Sequence, residues 1–385
     1  MNRKTKKRLQ ERLASMDTRA RDKLYKRAGR MYRTKTGAGA RARSLDDLVL
    51  YLLHIEGPGE TLDSERPGGE APIYAGREGL VVGVAHRCCY VHTGGEVLTC
   101  DVAKHLARTQ RAALAVGDRV LYAEPPDEQS RGLVSHVLPR QSTLSRPDPR
   151  TPNRQRVLVA NVDRVLIVVA ARNPPLRPGL IDRLLVAIQA GGAVPVLVVN
   201  KADLMVNKDD RAALEATLEP YRTLEVPVFL TSASTAEGIA ELQAALAGHL
   251  CALVGHSGVG KSSLLNALGG LELRVGEVRE FDGKGRHTTT ASRLYELGDA
   301  RIIDTPGVRS FGLWRITLTE LGDYFPEYDD RGCRYTDCTH THEPECGVKL
   351  AVEAGEIPLA RYQSYQRIAE SLVAESRGRI TGSGK

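Results

Sequence analysis

Between residues 73 and 144, short runs of alternating apolar and polar residues are separated by Gly, Asp and Pro, a pattern typical of β-strands in small barrels. The runs are GLVVGVA, CCYVHT, EVLTCDV, DRVLYAE and GLVSHVLP. Five short strands in this space predict an OB-type barrel, although an SH3-like barrel would show the same pattern. The pattern alone does not establish what the barrel binds, because unrelated functions share such folds.

From about Arg156 the pattern changes to near-continuous apolar runs that alternate with segments of helical spacing. The apolar runs are VDRVLIVVAA, VPVLVVN, VPVFLTSA, LCALVG and RIIDTPG, and they are typical of buried parallel strands. The helical segments are LIDRLLVAIQA, DDRAALEATLEPY, GIAELQAALAG and KSSLLNALGG. Strict alternation of this kind predicts a doubly wound sheet with helices on both faces.

Charge is concentrated at the N-terminus. Residues 1–43 contain 16 Lys and Arg against 3 Asp and Glu, a net charge of +13, whereas the whole chain carries +7 and the remainder therefore −6. A segment with so few apolar residues favours a basic arm that contacts nucleic acid. Residues 44–54 predict a short amphipathic helix, and residues 57–70 a linker rich in Gly and Pro.

No run of 18 apolar residues is present, which argues against a membrane-spanning helix. The basic N-terminus is not followed by an apolar stretch, as it would be in a secretory signal. Seven cysteines without such a signal make a disulfide framework improbable. We therefore expect a cytoplasmic protein.

The stretch GHSGVGKS, residues 255–262, matches the phosphate-loop pattern G-x-x-x-x-G-K-[ST] in full. Its glycines allow the backbone to wrap a phosphate, and the helix that follows directs its positive N-terminal end at the same point. Lys261 is expected to reach the β- and γ-phosphates and Ser262 to ligate Mg²⁺. The residues predicted to bind phosphate are Gly255, His256, Ser257, Gly258, Val259, Gly260, Lys261, Ser262 and Ser263.

The stretch NKAD, residues 200–203, follows a buried strand and so lies where a parallel sheet binds its ligands. The Asp203 carboxylate can accept hydrogen bonds from N1–H and the N2 amine of guanine, donors that adenine lacks. TSA ends the next strand, where the Ala233 N–H can meet guanine O6. Asn200 is expected to hold the loop and approach the purine edge, and the stem of Lys201 to lie over the ring face. The residues predicted to bind the base are Asn200, Lys201, Ala202, Asp203, Ser232 and Ala233.

The stretch DTPG, residues 304–307, supplies Asp304 for Mg²⁺ and the Gly307 N–H for the γ-phosphate. Before it, GKGRHTTT resembles a switch that closes on the nucleotide, and we favour Thr290 over Thr289 as its Mg²⁺ ligand.

Val308 follows DTPG, where many GTPases have a Gln that orients the attacking water. Valine cannot do this. Hydrolysis is therefore slow, or another group replaces the Gln. His287 of the switch is the candidate catalytic residue alongside Lys261 and Thr290, although it could instead contact a partner.

Three of the cysteines lie in CRYTDCTHTHEPEC, with the spacing C-x4-C-x-H-x5-C. Three thiolates and one imidazole match a closed, structural Zn²⁺ site, with His342 as a competing ligand. The predicted zinc ligands are Cys333, Cys338, His340 and Cys346. Downstream, PLARYQSYQRIAESLVAE predicts a terminal helix, and GRITGSGK a frayed end.

The usual order of GTPase motifs is phosphate loop, switch, DxxG, NKxD and SA, but here NKAD and TSA come first. The reversal indicates circular permutation. With the barrel upstream and the Cys/His cluster downstream, the chain resembles the ribosome small subunit-dependent GTPase A (RsgA) family from about Ala71 onwards. The basic extension exceeds what the family leads us to expect.

The resemblance implies a multidomain α/β protein that uses GTP or GDP, Mg²⁺ and one structural Zn²⁺. Its domains would be a basic extension and linker (1–70), an OB-type barrel (71–145), a circularly permuted GTPase domain (146–314) and a zinc-knuckle helical domain (315–385). The family binds the small ribosomal subunit, acts late in its maturation and hydrolyses GTP faster when bound to it. Contact with 16S rRNA, a monomeric state and no membrane association are expected accordingly.

Two alternatives stay open from the sequence. One is an RNA-binding scaffold in which GTP is a structural or regulatory ligand with little turnover, a reading that Val308 permits. The other is a GTPase whose partner is a protein or tRNA.

Overall fold

The computed structural model describes residues 76–85, 88–103, 106, 114–125, 130–147, 155–269, 274–275, 293–304, 313–314 and 316–381. The basic arm, the predicted helix 44–54 and the linker lie outside these residues, as do His287, Thr289, Thr290, Gly307 and Val308. In the described part of the chain, no helix is both long and apolar enough to cross a membrane.

The first five strands close into a barrel in which strand β1 pairs with both β2 and β4. Strands β3 and β5 pair in parallel, giving the order β1-β2-β3-β5-β4. All five predicted runs are strands, and the barrel is of the OB type. The strands are β1 Arg77–Val84, β2 Cys88–His92, β3 Val97–Val102, β4 Arg119–Ala123 and β5 Gly132–Val137.

A hairpin of β6 (Thr143–Pro147) and β7 (Gln155–Ala160) leads out of the barrel. The sequence patterns did not predict this hairpin. Strand β6 crosses the domain boundary that we predicted at residue 145, and that boundary stays a prediction. The Ala160 N–H donates to the Val116 carbonyl at 2.8 Å, so the hairpin is bound to the barrel. Gly117, with φ +90°, is required there, because a Cβ would lie 1.9 Å from the Ala160 carbonyl oxygen.

The central sheet has seven strands in the order β10-β9-β8-β11-β14-β13-β12. The first five strands in this order, β10, β9, β8, β11 and β14, are parallel to one another. Strand β13 pairs antiparallel with β14, and β12 pairs antiparallel with β13. Strands β8, β9 and β10 follow one another outwards to one edge of the sheet, and β11 then lies on the other side of β8. The strands are β8 Arg164–Ala170, β9 Val194–Asn200, β10 Val228–Leu230, β11 Leu250–Val254, β12 Arg274–Val275, β13 Arg293–Leu297 and β14 Ala300–Asp304.

The sheet is apolar on both faces, and two buried clusters lie against it, one containing Ile181 and Leu218 and the other Leu242 and Leu264. Helices therefore cover both faces, as the alternating pattern predicted. The helices of this domain are α1 Pro178–Ala190, α2 Lys208–Thr223, α3 Ile239–Leu246 and α4 Lys261–Gly269.

The C-terminal region is helical and packs against α1 through its own core, which includes Val186, Phe325 and Tyr365. Its helices are α5 Leu318–Leu321, α6 Gly347–Glu353 and α7 Leu359–Thr381, with short 3-10 turns at Gly322–Tyr324 and Pro326–Tyr328. Helix α7 continues to Thr381, so the first four residues of the predicted frayed end are helical.

A buried arginine joins α7 to the central domain. Arg361, 5% exposed, forms ion pairs with Asp182 of α1 and, at 2.8 Å, with Glu327. Its guanidinium also lies over the Phe325 ring, 4.7 Å from the centroid. Burial raises the pKa of Asp182, and the positive charge of Arg361 opposes that shift.

Candidate nucleotide-binding site

The parallel strands bring the predicted loops to one edge of the sheet. Asn200, at the end of β9, is opposite Ala170 in register, and Asp304, at the end of β14, is opposite Leu253 of β11. The phosphate loop follows β11 directly. Loops that are far apart in the chain therefore meet where a doubly wound sheet binds its ligands.

Asn200 links three of these loops. Its Nδ2 donates to the Val259 carbonyl of the phosphate loop at 3.0 Å, and its Oδ1 accepts from the Ala233 N–H at 3.2 Å. The residue is 1% exposed, so the contacts are made away from water. Both ends of the amide are thus bound to backbone, as suits the role of holding the loop that we expected of Asn200. The sequence also led us to place Asn200 near the purine edge and the Ala233 N–H on guanine O6. Those two contacts with the base stay predictions.

Lys201 reinforces the junction. It adopts φ +64°, and its Nζ donates to the Gly258 carbonyl at 2.7 Å and to the Asn173 carbonyl. The aliphatic stem therefore extends from the NKAD loop to the phosphate loop. Asp203 lies in the short 3-10 turn Ala202–Leu204, whose Ala202 N–H donates to the Thr231 carbonyl at 3.0 Å.

The phosphate loop has the backbone that its glycines allow. Gly255, Gly258 and Gly260 have φ of +152°, +83° and +91°. A Cβ on Gly255 would lie 2.2 Å from the Val168 carbonyl oxygen, and one on Gly260 would lie 2.4 Å from Asn200 Nδ2. Glycine is needed at both positions because neighbouring atoms fill the space, in addition to the unusual φ.

Lys261, the first residue of α4, turns its ammonium back over the loop. Its Nζ donates to the carbonyls of Gly255 at 2.8 Å and His256 at 2.9 Å. Ser262 and Ser263 are exposed beside it. An ammonium and a serine hydroxyl at a helix N-terminus are suited to phosphate oxygens, and hydroxyl and carboxylate oxygens are the ligands that Mg²⁺ prefers.

The predicted zinc residues lie together. The ligand atoms of Cys333, Cys338, His340 and Cys346 are all within 4.8 Å of one another. His340 Nδ1 is 3.5 Å from the sulfurs of Cys333 and Cys346, which are 3.9 Å apart. Ligands of a tetrahedral Zn²⁺ lie roughly 3.5–3.8 Å apart, so the spacing fits the ion.

The ionisable groups of the cluster affect one another. Burial raises the pKa of Cys338 to about 12, and the neighbouring thiol of Cys346 adds to the shift, so a metal ion bound here would have to displace the thiol proton. Burial lowers the pKa of His340, which favours the neutral imidazole that binds metal. His342, the competing candidate, lies outside this group: its side chain is 83% exposed and its Nδ1 is 3.0 Å from Thr341 Oγ1.

The C-terminal core holds the cluster in place. Tyr362 Oη donates to the His340 carbonyl at 2.9 Å, and Tyr365 Oη donates to the Thr339 carbonyl at 2.6 Å. The Tyr328 ring lies edge-on to His340, with centroids 5.4 Å apart. Sequence reasoning missed these tyrosines because nothing in the pattern of α7, or of the turn Pro326–Tyr328, indicates which residues they face.

Comparison with known proteins agrees with this geometry. A family model described as RsgA GTPase matches residues 137–314. A protein of Ectopseudomonas mendocina named "Small ribosomal subunit biogenesis GTPase RsgA" is 42% identical over 282 residues, which cover 72% of this chain and 79% of the relative. This chain belongs to the RsgA GTPase family. A family member of the same name from Dickeya dadantii is 35% identical over 352 residues, 89% of this chain and 96% of the relative.

Solved structures extend the RsgA likeness to the fold. The crystal structure of YjeQ from Thermotoga maritima is 36% identical, with a TM-score of 0.62, and the match covers 77% of this chain and 98% of YjeQ. YloQ, described as a circularly permuted GTPase, is 26% identical, with a TM-score of 0.61 and coverage of 80% and 98%. The permuted fold predicted from the motif order is confirmed.

Proposed function

We propose that this protein hydrolyses GTP during maturation of the small ribosomal subunit. The observation that carries the proposal is Asn200, which joins the NKAD, TSA and phosphate loops into one site. Such a site can hold the base and the phosphates of a single nucleotide. The relatives' shared name, which specifies biogenesis of the small ribosomal subunit, supports the biological role and favours an enzyme over an RNA-binding scaffold.

In this proposal the base is read by Asp203, whose carboxylate accepts from guanine N1–H and the N2 amine. The stem of Lys201 covers the ring face, and its bonds to two carbonyls hold it in that position. The remaining contacts with the base come from the backbone and side chains of Ala202, Ser232 and Ala233.

The phosphates lie on the loop from Gly255 to Ser263. Lys261 exchanges its bonds to loop carbonyls for the β- and γ-phosphate oxygens, where its charge stabilises the transition state. Ser262, Asp304 and Thr290 are the proposed residues for Mg²⁺, which neutralises charge on the transferring phosphoryl group when bound. Gly307 and His287 are assigned to the γ-phosphate and the attacking water from sequence alone.

The zinc residues act structurally, since four protein ligands leave no open coordination position. We assign rRNA contact to the barrel, the basic arm and the knuckle, with 16S rRNA as the RNA of the small subunit. A monomer in the cytoplasm is proposed as the working form. Phosphate contacts make such binding weaken steeply with salt.

GTP turnover titrated with isolated small subunits, large subunits and bare rRNA tests the proposal. We expect strong stimulation by small subunits and little by large subunits, with loss of turnover in Lys261→Ala. Binding without stimulation would instead support the scaffold, and no binding would indicate a different partner. Measuring the same titration at two salt concentrations reports the rRNA contribution.

A further inference from the structure

His340, the one imidazole of the Cys/His cluster, has an unusual backbone conformation. Its φ is +58°, in the left-handed region that residues with a Cβ rarely adopt. Such a conformation persists where the surrounding structure determines it. The peptide groups on either side of His340 must therefore be held by other contacts if its Nδ1 is to face the cysteine sulfurs.

Glu343 binds the backbone on both sides of His340. Its Oε1 accepts hydrogen bonds from the Thr339 N–H at 2.8 Å and from the Thr339 hydroxyl at 2.5 Å, and its Oε2 accepts from the Thr341 N–H at 3.0 Å. The Glu343 side chain is only 12% exposed, so water competes little for these oxygens. One carboxylate thus spans the residue that supplies the imidazole.

The carboxyl group of Glu343 is ionised in this environment. Burial acts to raise its pKa, but the hydrogen bonds from Thr339 and Thr341 outweigh burial and lower the pKa to about 2. An ionised carboxylate accepts at both oxygens, which matches the three donors around it.

Helix α7 binds the carbonyl groups of the same segment. Tyr362 Oη donates to the His340 carbonyl at 2.9 Å, and Tyr365 Oη donates to the Thr339 carbonyl at 2.6 Å. Glu343 accepts from the N–H groups, so donors and acceptors beside His340 have protein partners. None of these bonds uses His340 Nδ1 or a cysteine sulfur, the atoms assigned to the metal.

We propose that Glu343 is a positioning residue for the zinc site, which holds His340 in its left-handed conformation with the imidazole directed at the three cysteine sulfurs. This inference rests on the structural zinc site of the proposed function and adds the residue that pre-organises it. Loss of a residue that orients a metal ligand from outside the coordination sphere typically lowers metal affinity about 10- to 100-fold.

Glu345 provides a matched control in the same loop. Its side chain carries the same charge but is 66% exposed, and it pairs with the exposed Arg334. Replacing Glu345 with Gln therefore changes the charge of the loop as Glu343→Gln does, without touching the backbone beside His340. The pair of variants separates the hydrogen bonds of Glu343 from its charge.

The test measures the Zn²⁺ affinity of the full-length wild type and both variants by competition with a chromophoric chelator. Gln keeps the shape of Glu but places an NH₂ donor where one oxygen accepts. We expect Zn²⁺ binding about 10- to 100-fold weaker in Glu343→Gln and within about 3-fold of wild type in Glu345→Gln. Trp314 fluorescence in urea, recorded without metal, ensures that affinities are compared only between folded proteins.

Two further measurements distinguish positioning from general loss of structure. The visible absorption of bound Co²⁺ reports its ligands and geometry, so its wavelengths should not change in Glu343→Gln, although more Co²⁺ is needed for half-saturation. Thr339→Val removes only the hydroxyl that donates to Glu343 and should weaken Zn²⁺ binding about 3- to 10-fold. Added to Glu343→Gln, it should cause little further loss, because both changes remove the same contact.

Zn²⁺ binding by folded Glu343→Gln that is as tight as in wild type overturns the inference. Equal losses in Glu343→Gln and Glu345→Gln also overturn it, because the charge of the loop would then explain the effect. If Glu343→Gln does not fold, unchanged affinity in Thr339→Val has the same meaning. If the wild type itself binds no Zn²⁺, the zinc site of the proposed function fails first.

Discussion

Replacing Arg361 with Met should destabilise the packing of the C-terminal region against the central domain. The side chain is 5% exposed, and its charge balances Asp182, which is itself 1% exposed. Met keeps the apolar stem but leaves the Asp182 carboxylate buried without a countercharge. Breaking a buried pair on one side costs about 3–5 kcal/mol of the free energy of unfolding.

The chain contains a single Trp, Trp314, next to Leu313 of the C-terminal core, so its fluorescence reports unfolding of this region. In a urea titration, Arg361→Met should unfold at a lower urea concentration than wild type. The decrease in its free energy of unfolding should match the estimate above. The double variant Arg361→Met with Asp182→Asn should recover most of the loss, because the fully buried carboxylate is gone and the one that remains, Glu327, has a side chain 15% exposed to water. If Arg361→Met alone were as stable as wild type, the Arg361–Asp182 ion pair would not contribute to stability as argued here.

The same variant should depend on pH. Burial already raises the pKa of Asp182 in the folded protein, and removing Arg361 takes away the charge that opposes the shift. A carboxyl with a raised folded pKa contributes stability at low pH and loses it as pH rises through that pKa. The deficit of Arg361→Met relative to wild type should therefore be smaller at acidic pH than at neutral pH. Equal deficits at both would show that Asp182 is not responsible.

Three further changes test the sites. Asp203→Asn should lower GTP affinity by about 10- to 100-fold and favour xanthosine triphosphate, whose base carries oxygen in place of the N2 amine, in a competition assay. Gly260→Ala should weaken nucleotide binding at least about 10-fold because its Cβ meets Asn200, whereas Gly248→Ala, with φ +75° but no atom within 4 Å, should not. Cys346→Ser should reduce zinc measured by mass spectrometry below one per chain and lower the Tm. Unchanged zinc content would show that another ligand completes the cluster.

The sequence predicts the elements better than the contacts between them. Alternation located all five barrel strands, and apolar runs located the parallel strands, because each pattern reflects burial on one face or two. The β6–β7 hairpin escaped notice since its residues are rich in Pro and Arg, and β12 has only two residues. Motif spacing indicated the loops and the Cys/His cluster because their chemistry requires particular residue types.

The interactions that were not foreseen join distant residues. Arg361 lies in a helix of polar appearance, and its burial is tolerable because of its partners, Asp182 on α1 and Glu327. His92 of β2 and Glu296 of β13, whose side chains are 3.3 Å apart, are ordinary residues in their own strands, and their contact depends on how the barrel docks. Pattern in one segment carries no information about such pairings.

The two backbone contacts of the Asn200 amide have a consequence for the nucleotide cycle. The loops that we propose to bind the base are joined by hydrogen bonds within the protein, so in this proposal a purine enters a site that needs little further ordering. Neither contact involves a phosphate, so we expect this arrangement of the loops to hold GDP and GTP equally well. Discrimination between GTP and GDP must then depend on residues close to the γ-phosphate.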